Sequence, residues 1–208
     1  MKKLHTTMAS VILATLLGSS IAVADPANFD FFGCIQSQPS SNGEAFKMVG
    51  FLTNNGVVPT PIPFVWDGSE EHTVVICATY DSKAGFTESF TNSTVHIYTD
   101  AGPTTPGDYG NQGSFSDFTL VLSGVINSFI RIDFPGNSSA YSGQVDWTGG
   151  TRVAELGANT TGYGIGGSGN TGSTNIPAGY VDCWDGKIDQ PIVAVDEKSW
   201  SGVKALFN

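Results

Sequence analysis

The chain predicts an all-β fold, most simply a two-layer β-sandwich or jelly roll of about nine or ten short strands. Three observations predict it. Apolar and polar residues alternate with a period of two along most of the sequence, and turn-forming residues break that alternation about every 8 to 15 positions. Charged residues make up only 13% of the chain, and 26 Gly with abundant Ser, Thr and Asn fill the space. Such a mixture suits short strands joined by many turns and suits helices badly.

The first strand is expected from Phe29 and Phe31 through Cys34, and the second from Phe46 and Met48 into Phe51, ending at the Asn54-Asn55-Gly56 turn. Val57 to Trp66 carries Pro59, Pro61 and Pro63, three missing amide donors that bar it from a central strand. His72 to Tyr80 is the strongest strand. Val74, Ile76, Ala78 and Tyr80 share one face and Val75, Cys77 and Thr79 the other, so both faces predict cover. Phe86–Phe90, Thr94–Thr99, Phe118–Leu122 and Phe129–Phe134 read as four further strands, the last two separated by the polar pair Asn127-Ser128. Tyr141–Trp147 and Thr151–Leu156 follow, with a Gly149-Gly150 turn between them. Gly157 to Asn175 holds seven glycines and predicts a Gly-rich loop. Tyr180–Ile188 predicts a last hairpin. Trp200, Val203 and Leu206 at i, i+3 and i+6, with Ser199 placed to cap, predict a short C-terminal helix.

Met1–Ala24 has the parts of a secretory signal: Lys2 and Lys3, an apolar run from Val11 to Leu17, and Ala22-Val23-Ala24 before Asp25. Its apolar core is short of the roughly 20 residues that span a bilayer. Removal of residues 1–24 leaves 184 residues, 25–208, enough for a single domain with its own core. No later stretch is apolar enough to span, so the product is expected to be secreted, periplasmic or at the cell surface, with no membrane insertion.

Charge excludes one class of partner. Lys and Arg number 9 in the whole chain, two of them in the signal, against 19 Asp and Glu. Binding to a polyanion needs clustered basic residues that displace counterions, and none exists, so nucleic acid is not an expected partner. Neutral glycans and other surface proteins are.

Three cysteines follow the signal, Cys34, Cys77 and Cys183. An exported chain can form disulfides, and loop-closure entropy does not choose among the pairings. Cys34 and Cys77 lie 43 residues apart, which is similar to the disulfide spacing of chaperone–usher pilins. That resemblance implies strand exchange as one form of surface assembly.

Trp-Asp-Gly occurs at Trp66-Asp67-Gly68 and Trp184-Asp185-Gly186, with Trp147-Thr148-Gly149 as a near relative. An exposed indole beside a carboxylate stacks on a sugar face while the carboxylate accepts from hydroxyls, so Trp147, Trp184 and Asp185 are candidate ligand-binding residues, with Tyr109 from the long Gly102–Gly113 loop beside them. The plainer reading makes each Trp a core residue just before a turn. Asp182, Asp185 and Asp189 are weak calcium candidates, because calcium takes several oxygen ligands, yet no calcium-loop motif is present. The overlapping G-x-G-x-x-G matches at 162–169 precede no helix and predict no nucleotide site. No metal or other cofactor is expected, and no catalytic residue is assigned. A small hydrolase would require Glu44 or Glu155 to face a second carboxylate in a cleft. The expectation is an exported, non-enzymatic β-sandwich with a structural or adhesive role at the cell surface, and the alternative is a glycan-binding module.

Overall fold

The computed structural model describes residues 29–53, 70–100, 106–170 and 175–191. The signal segment, the proline stretch, Trp66-Asp67-Gly68 and the expected C-terminal helix lie outside the described residues. Within them the fold is all-β, but it is not a sandwich. Eight antiparallel strands form one closed barrel: β1 Phe29–Ile35, β2 Ala45–Thr53, β3 Glu71–Ala84, β4 Thr87–Asp100, β5 Thr119–Phe134, β6 Ser138–Gly149, β7 Tyr163–Asn170 and β8 Asp182–Asp189. Each strand pairs with the next in sequence, and β8 pairs back onto β1.

The expected count of nine or ten falls to eight partly because two apparent turns are bulges inside long strands. Phe86–Phe90 and Thr94–Thr99 belong to the single strand β4, and Phe118–Leu122 and Phe129–Phe134 to β5. Asn92 in β4 and Ser128 in β5 both take the left-handed region, with φ of 51° and 52°. Here the β4–β5 ladder skips from the Ser89–Ile130 pair to the Thr94–Val125 pair, and the β5–β6 register shifts between Asn127 and Ile130. An unpaired residue bends its strand and raises the local twist, and that curvature lets a sheet close on itself. Thr151–Leu156, read as a strand, instead contains the 3₁₀ turn Val153–Leu156, whose Leu156 is buried against one end of the core.

Alternation sorts the side chains. Phe29, Phe31 and Ile35 of β1, Val74 and Ile76 of β3 and Ile165 of β7 point inward with the other apolar residues of the main core. Asp30 and Lys187, Gln144 and Asp146, and Ser168 and Asn170 occupy outward positions. An apolar interior behind a largely polar outer wall is the reverse of the alternation of a membrane-spanning barrel. Among the described residues no helix is long and apolar enough to cross a membrane.

The second apolar face of β3 is covered as expected, though by loops rather than by another sheet. Val75, with Val49 of β2, Cys34 and Cys183, packs on the outer wall beneath Phe115, Tyr109, Ile176 and Tyr180. Thr73 Oγ1 donates to the Phe115 carbonyl at 2.8 Å and Tyr180 Oη to the Tyr109 carbonyl at 3.1 Å, which fixes this cover. Under it lies the Cys34–Cys183 disulfide, between residues directly opposite each other on β1 and β8. The pilin-like Cys34–Cys77 spacing therefore does not correspond to a bond; Cys77 is the free thiol. Strand exchange also loses its basis, because every strand is hydrogen-bonded on both edges.

The Gly157–Asn175 stretch is largely ordered as a strand and not as a loop. Tyr163 and Ile165 begin the inward row of β7, and Gly167 and Gly169 continue it. A Cβ on Gly167 would land inside the Trp184 indole and on the Asp185 carbonyl, and one on Gly169 would sit 2.6 Å from Ser139 Oγ and 2.9 Å from an Asp182 oxygen. The glycines vacate the volume that the large β8 side chains fill. On the outer face Gly164 has no atom within 4 Å of such a Cβ, and Gly166 has only the Tyr141 carbonyl, at 3.5 Å.

Gly167→Ala should therefore lower stability by about 3 kcal/mol or more through overpacking, whereas Gly164→Ala should be neutral or stabilise by a few tenths of a kcal/mol, as thermal melts would register. Similar losses for both would mean that the inner glycines do not create this space. Opening the disulfide, which closes a loop of 149 residues, should cost up to about 5 kcal/mol in urea titrations of Cys34→Ser with Cys183→Ser, while Cys77→Ser should stay near the parent value.

Candidate functional site

The tryptophans proposed as sugar platforms belong to the core. Trp184 is 0% and Trp147 3% exposed. Trp184 stacks on Tyr141 at 4.1 Å between centroids and 28° between planes, and meets Phe31 edge-on at 5.4 Å. Trp147 packs edge-on against Phe29 at 5.7 Å and Tyr163 at 6.1 Å. Neither ring has a face free to stack on a ligand, which corrects their assignment as binding residues. Trp184-Asp185-Gly186 is also not a turn, since it lies within β8, where Gly186 makes room for the Phe31 ring. Tyr109 is half-buried between Phe51, Phe115 and Tyr180, and burial pushes its phenol well above the usual tyrosine range. It pins the outer cover in place.

The three aspartates suggested for calcium do not converge. Strand alternation turns Asp182 into the barrel and Asp185 outward, and Asp189 stands four residues beyond Asp185, about 13 Å along the strand. Asp189 instead pairs with Lys187 at 2.6 Å. Among the described residues no group of three or more His, Cys, Asp or Glu is placed to hold a metal ion.

Asp182 joins a buried charge cluster that sequence reading missed, because its members come from four strands. Arg131 of β5 lies 3.8 Å from Asp182, 3.8 Å from Glu88 of β4 and 2.9 Å from Asp133. The last contact is off the Nε–H direction, so it is ionic rather than a hydrogen bond. Lys83 caps the group from the rim, 3.1 Å from Glu88 and 2.8 Å from Asp133. Tyr141 and Ser139 of β6 donate to Asp182 Oδ2 at 3.2 and 3.3 Å, and the Arg131 guanidinium sits 5.6 Å over the Tyr141 ring. Burial raises the Asp182 carboxyl above the usual aspartate range, with Arg131 opposing, and burial likewise pushes the Tyr141 phenol up. This network closes one end of the barrel. At the other, buried His72 shares a hydrogen bond with Thr99 Oγ1 at 2.5 Å, and its Nε2 lies 3.5 Å from Glu70.

The carboxylates considered for hydrolysis serve local turns. Glu44 accepts from the Ser40 and Ser41 amides at 2.7 and 3.2 Å, which holds its carboxyl below the usual range. Glu155 is bound by Arg152 through two hydrogen bonds of 2.8 Å, which lower its carboxyl likewise. The half-buried Cys77 thiol is pushed up by burial, which keeps it protonated and a poor nucleophile.

Asp185 alone of the proposed ligand residues reaches an open site. Two shallow hollows meet on the outer wall of β7, β8 and β1. The first is lined by Phe32, Ser168, Asn170, Asn175, Asp185 and the backbone of Gly169 beside Cys183. Asp30, Ser168, Asp185 and Lys187 line the second, above a floor of Gly166, Gly167 and Gly186. Register builds both: Ser168, Asp185 and Phe32 form one cross-strand row, and Gly166, Lys187 and Asp30 the next. Phe32 is 37% exposed, an aromatic surface flanked by a carboxylate, a hydroxyl and two amides. Its sequence signal was the even-numbered row Gly164, Gly166, Ser168 and Asn170, small or polar opposite Tyr163 and Ile165. Comparison with protein-family models, with curated proteins and with solved structures gives no match for this chain.

A buried carboxyl whose pKa is raised binds its proton more tightly in the folded state, so it lowers stability as pH rises above the ordinary aspartate value of about 3.9. Asp182→Asn should therefore flatten the fall in stability between that pH and neutrality, read from melting temperature against pH. An unchanged or steeper profile would mean that Arg131 outweighs burial at this site.

Proposed function

We propose that this protein is exported to the cell surface, where its barrel acts as a non-enzymatic adhesive module that binds neutral glycans in the groove across β7, β8 and β1. One observation carries the reading: Phe32 stands half-open on the outer wall with Asp185, Ser168, Asn170 and Asn175 around it. Stacking of sugar C–H faces on an aromatic ring, with acceptors and donors at its edge, is the chemistry such a hollow provides. The acidic balance of the chain favours an uncharged over an anionic ligand. The disulfide is compatible with an oxidising compartment, and the signal-like N-terminus points the same way.

A glycan array and an insoluble-polysaccharide pull-down with the purified protein test this. Phe32→Ala should reduce binding at least tenfold and Asp185→Asn severalfold, with melting temperatures close to the parent, since both side chains point outward. Binding should survive EDTA, because the β8 aspartates do not converge on a common point. Absence of binding to any glycan would defeat the reading.

A second reading, adhesion to another protein, is favoured by Phe86 and Phe134, 67% and 49% exposed. Phe86 in the β3–β4 turn and Phe134 at the end of β5 adjoin, tied by the Asp133 amide donating to the Phe86 carbonyl at 2.9 Å.

A further inference from the structure

We infer that the groove takes a linear oligosaccharide laid along the strands, with one sugar unit against Phe32 and the next over the glycine floor. The inference rests on the glycan reading above and names the length and orientation of the ligand. The two hollows are not separate sites: both are lined by Ser168 and Asp185, so a molecule seated in one abuts the other. Their outer limits on β8 are Cys183 and Lys187, four residues and about 13 Å along a strand. That span is longer than one pyranose ring and is matched by two or three linked ones.

The two ends offer different chemistry. The first has the aromatic surface that an apolar sugar face seeks. The second has no aromatic residue; Asp30 and Asp185 accept there and Lys187 donates, and hydroxyls around a ring edge match that set. Its floor is bare backbone. Gly166 faces outward beside Lys187 and leaves no side chain, and Gly167 and Gly186 face the core, so a flat ring can lie directly on the wall. Along β7 the outward row stays empty to Gly164, which leaves the trough open in the strand direction. Shared residues at the junction give a linked second unit its gain without a second loss of translational freedom.

Titration calorimetry with a series from monosaccharide to tetrasaccharide, built on whichever sugar the array identifies, tests the inference. Affinity should rise at least tenfold between one and three units and then level off. Gly166→Val places a branched side chain in the second hollow at a position with room for it, and it should flatten the series so that the trisaccharide binds as the monosaccharide does. Phe32→Ala should weaken every member. Equal affinity for one and three units, or an unchanged series in Gly166→Val, would overturn the inference while leaving the glycan reading intact. If no saccharide of any length binds, both fall together.

Discussion

The fit of Trp184 against a strand that has given up its side chains is the contact on which the rest of the molecule depends. An eight-stranded barrel has an interior just wide enough for side chains to fill, and here two indoles, several phenyl rings and three phenols must share it. Gly167 yields the space that the Trp184 indole occupies, Tyr141 stacks on its face, and Phe129 lies nearly parallel at 6.1 Å. The inner row of β7 is bare at Gly167 and Gly169, and its outer row is bare at Gly164 and Gly166. One glycine-rich strand thus permits both the packed interior and the trough outside.

One end of the barrel is closed by charged groups. Arg131, Glu88, Asp182 and Asp133 hold one another where an apolar plug could have served, with Glu88 Oε2 and Asp182 Oδ1 buried and without a hydrogen-bond partner. Such a cluster adds little net stability, since the desolvation of its members offsets most of their attraction. Its contribution is directional: the ion pairs and the Tyr141 and Ser139 hydrogen bonds are satisfied in one alignment of β4, β5, β6 and β8. A one-residue slip of any of these strands would turn its members of the cluster outward.

Much of the fold was legible in the sequence, and what was not has particular causes. The period-two alternation of Val74 to Tyr80 marked both a strand and its two covered faces. Alternation is the same in a sandwich and in a barrel, however, because each buries one face of every strand. Closure was written in the bulges at Asn92 and Ser128, which read in one dimension as turns. Tyr163 and Ile165 announced β7, but seven glycines outweighed them in any reading by propensity. Trp184 and Trp147 carried chemistry suited to sugar and geometry suited to a core, and only the direction of the side chain decided. Phe32 lies more than a hundred residues of chain before Ser168 and Asp185, so no local motif could unite the three; Asp185 was found through its neighbour Trp184.

Closure by β1 and β8 also orders events in time. The first described strand can complete its pairing only with the last, and Cys34 waits for a partner 149 residues further on. Neighbouring hairpins can form as soon as the chain between them exists, but the seam needs the full length, and contacts of such separation slow folding. A chain that lacks β8 has no partner for the free edges of β1 and β7, and open edges of that kind pair readily with other copies. The barrel is without edges only once β8 has joined β1, so closure depends on the full length of chain between them.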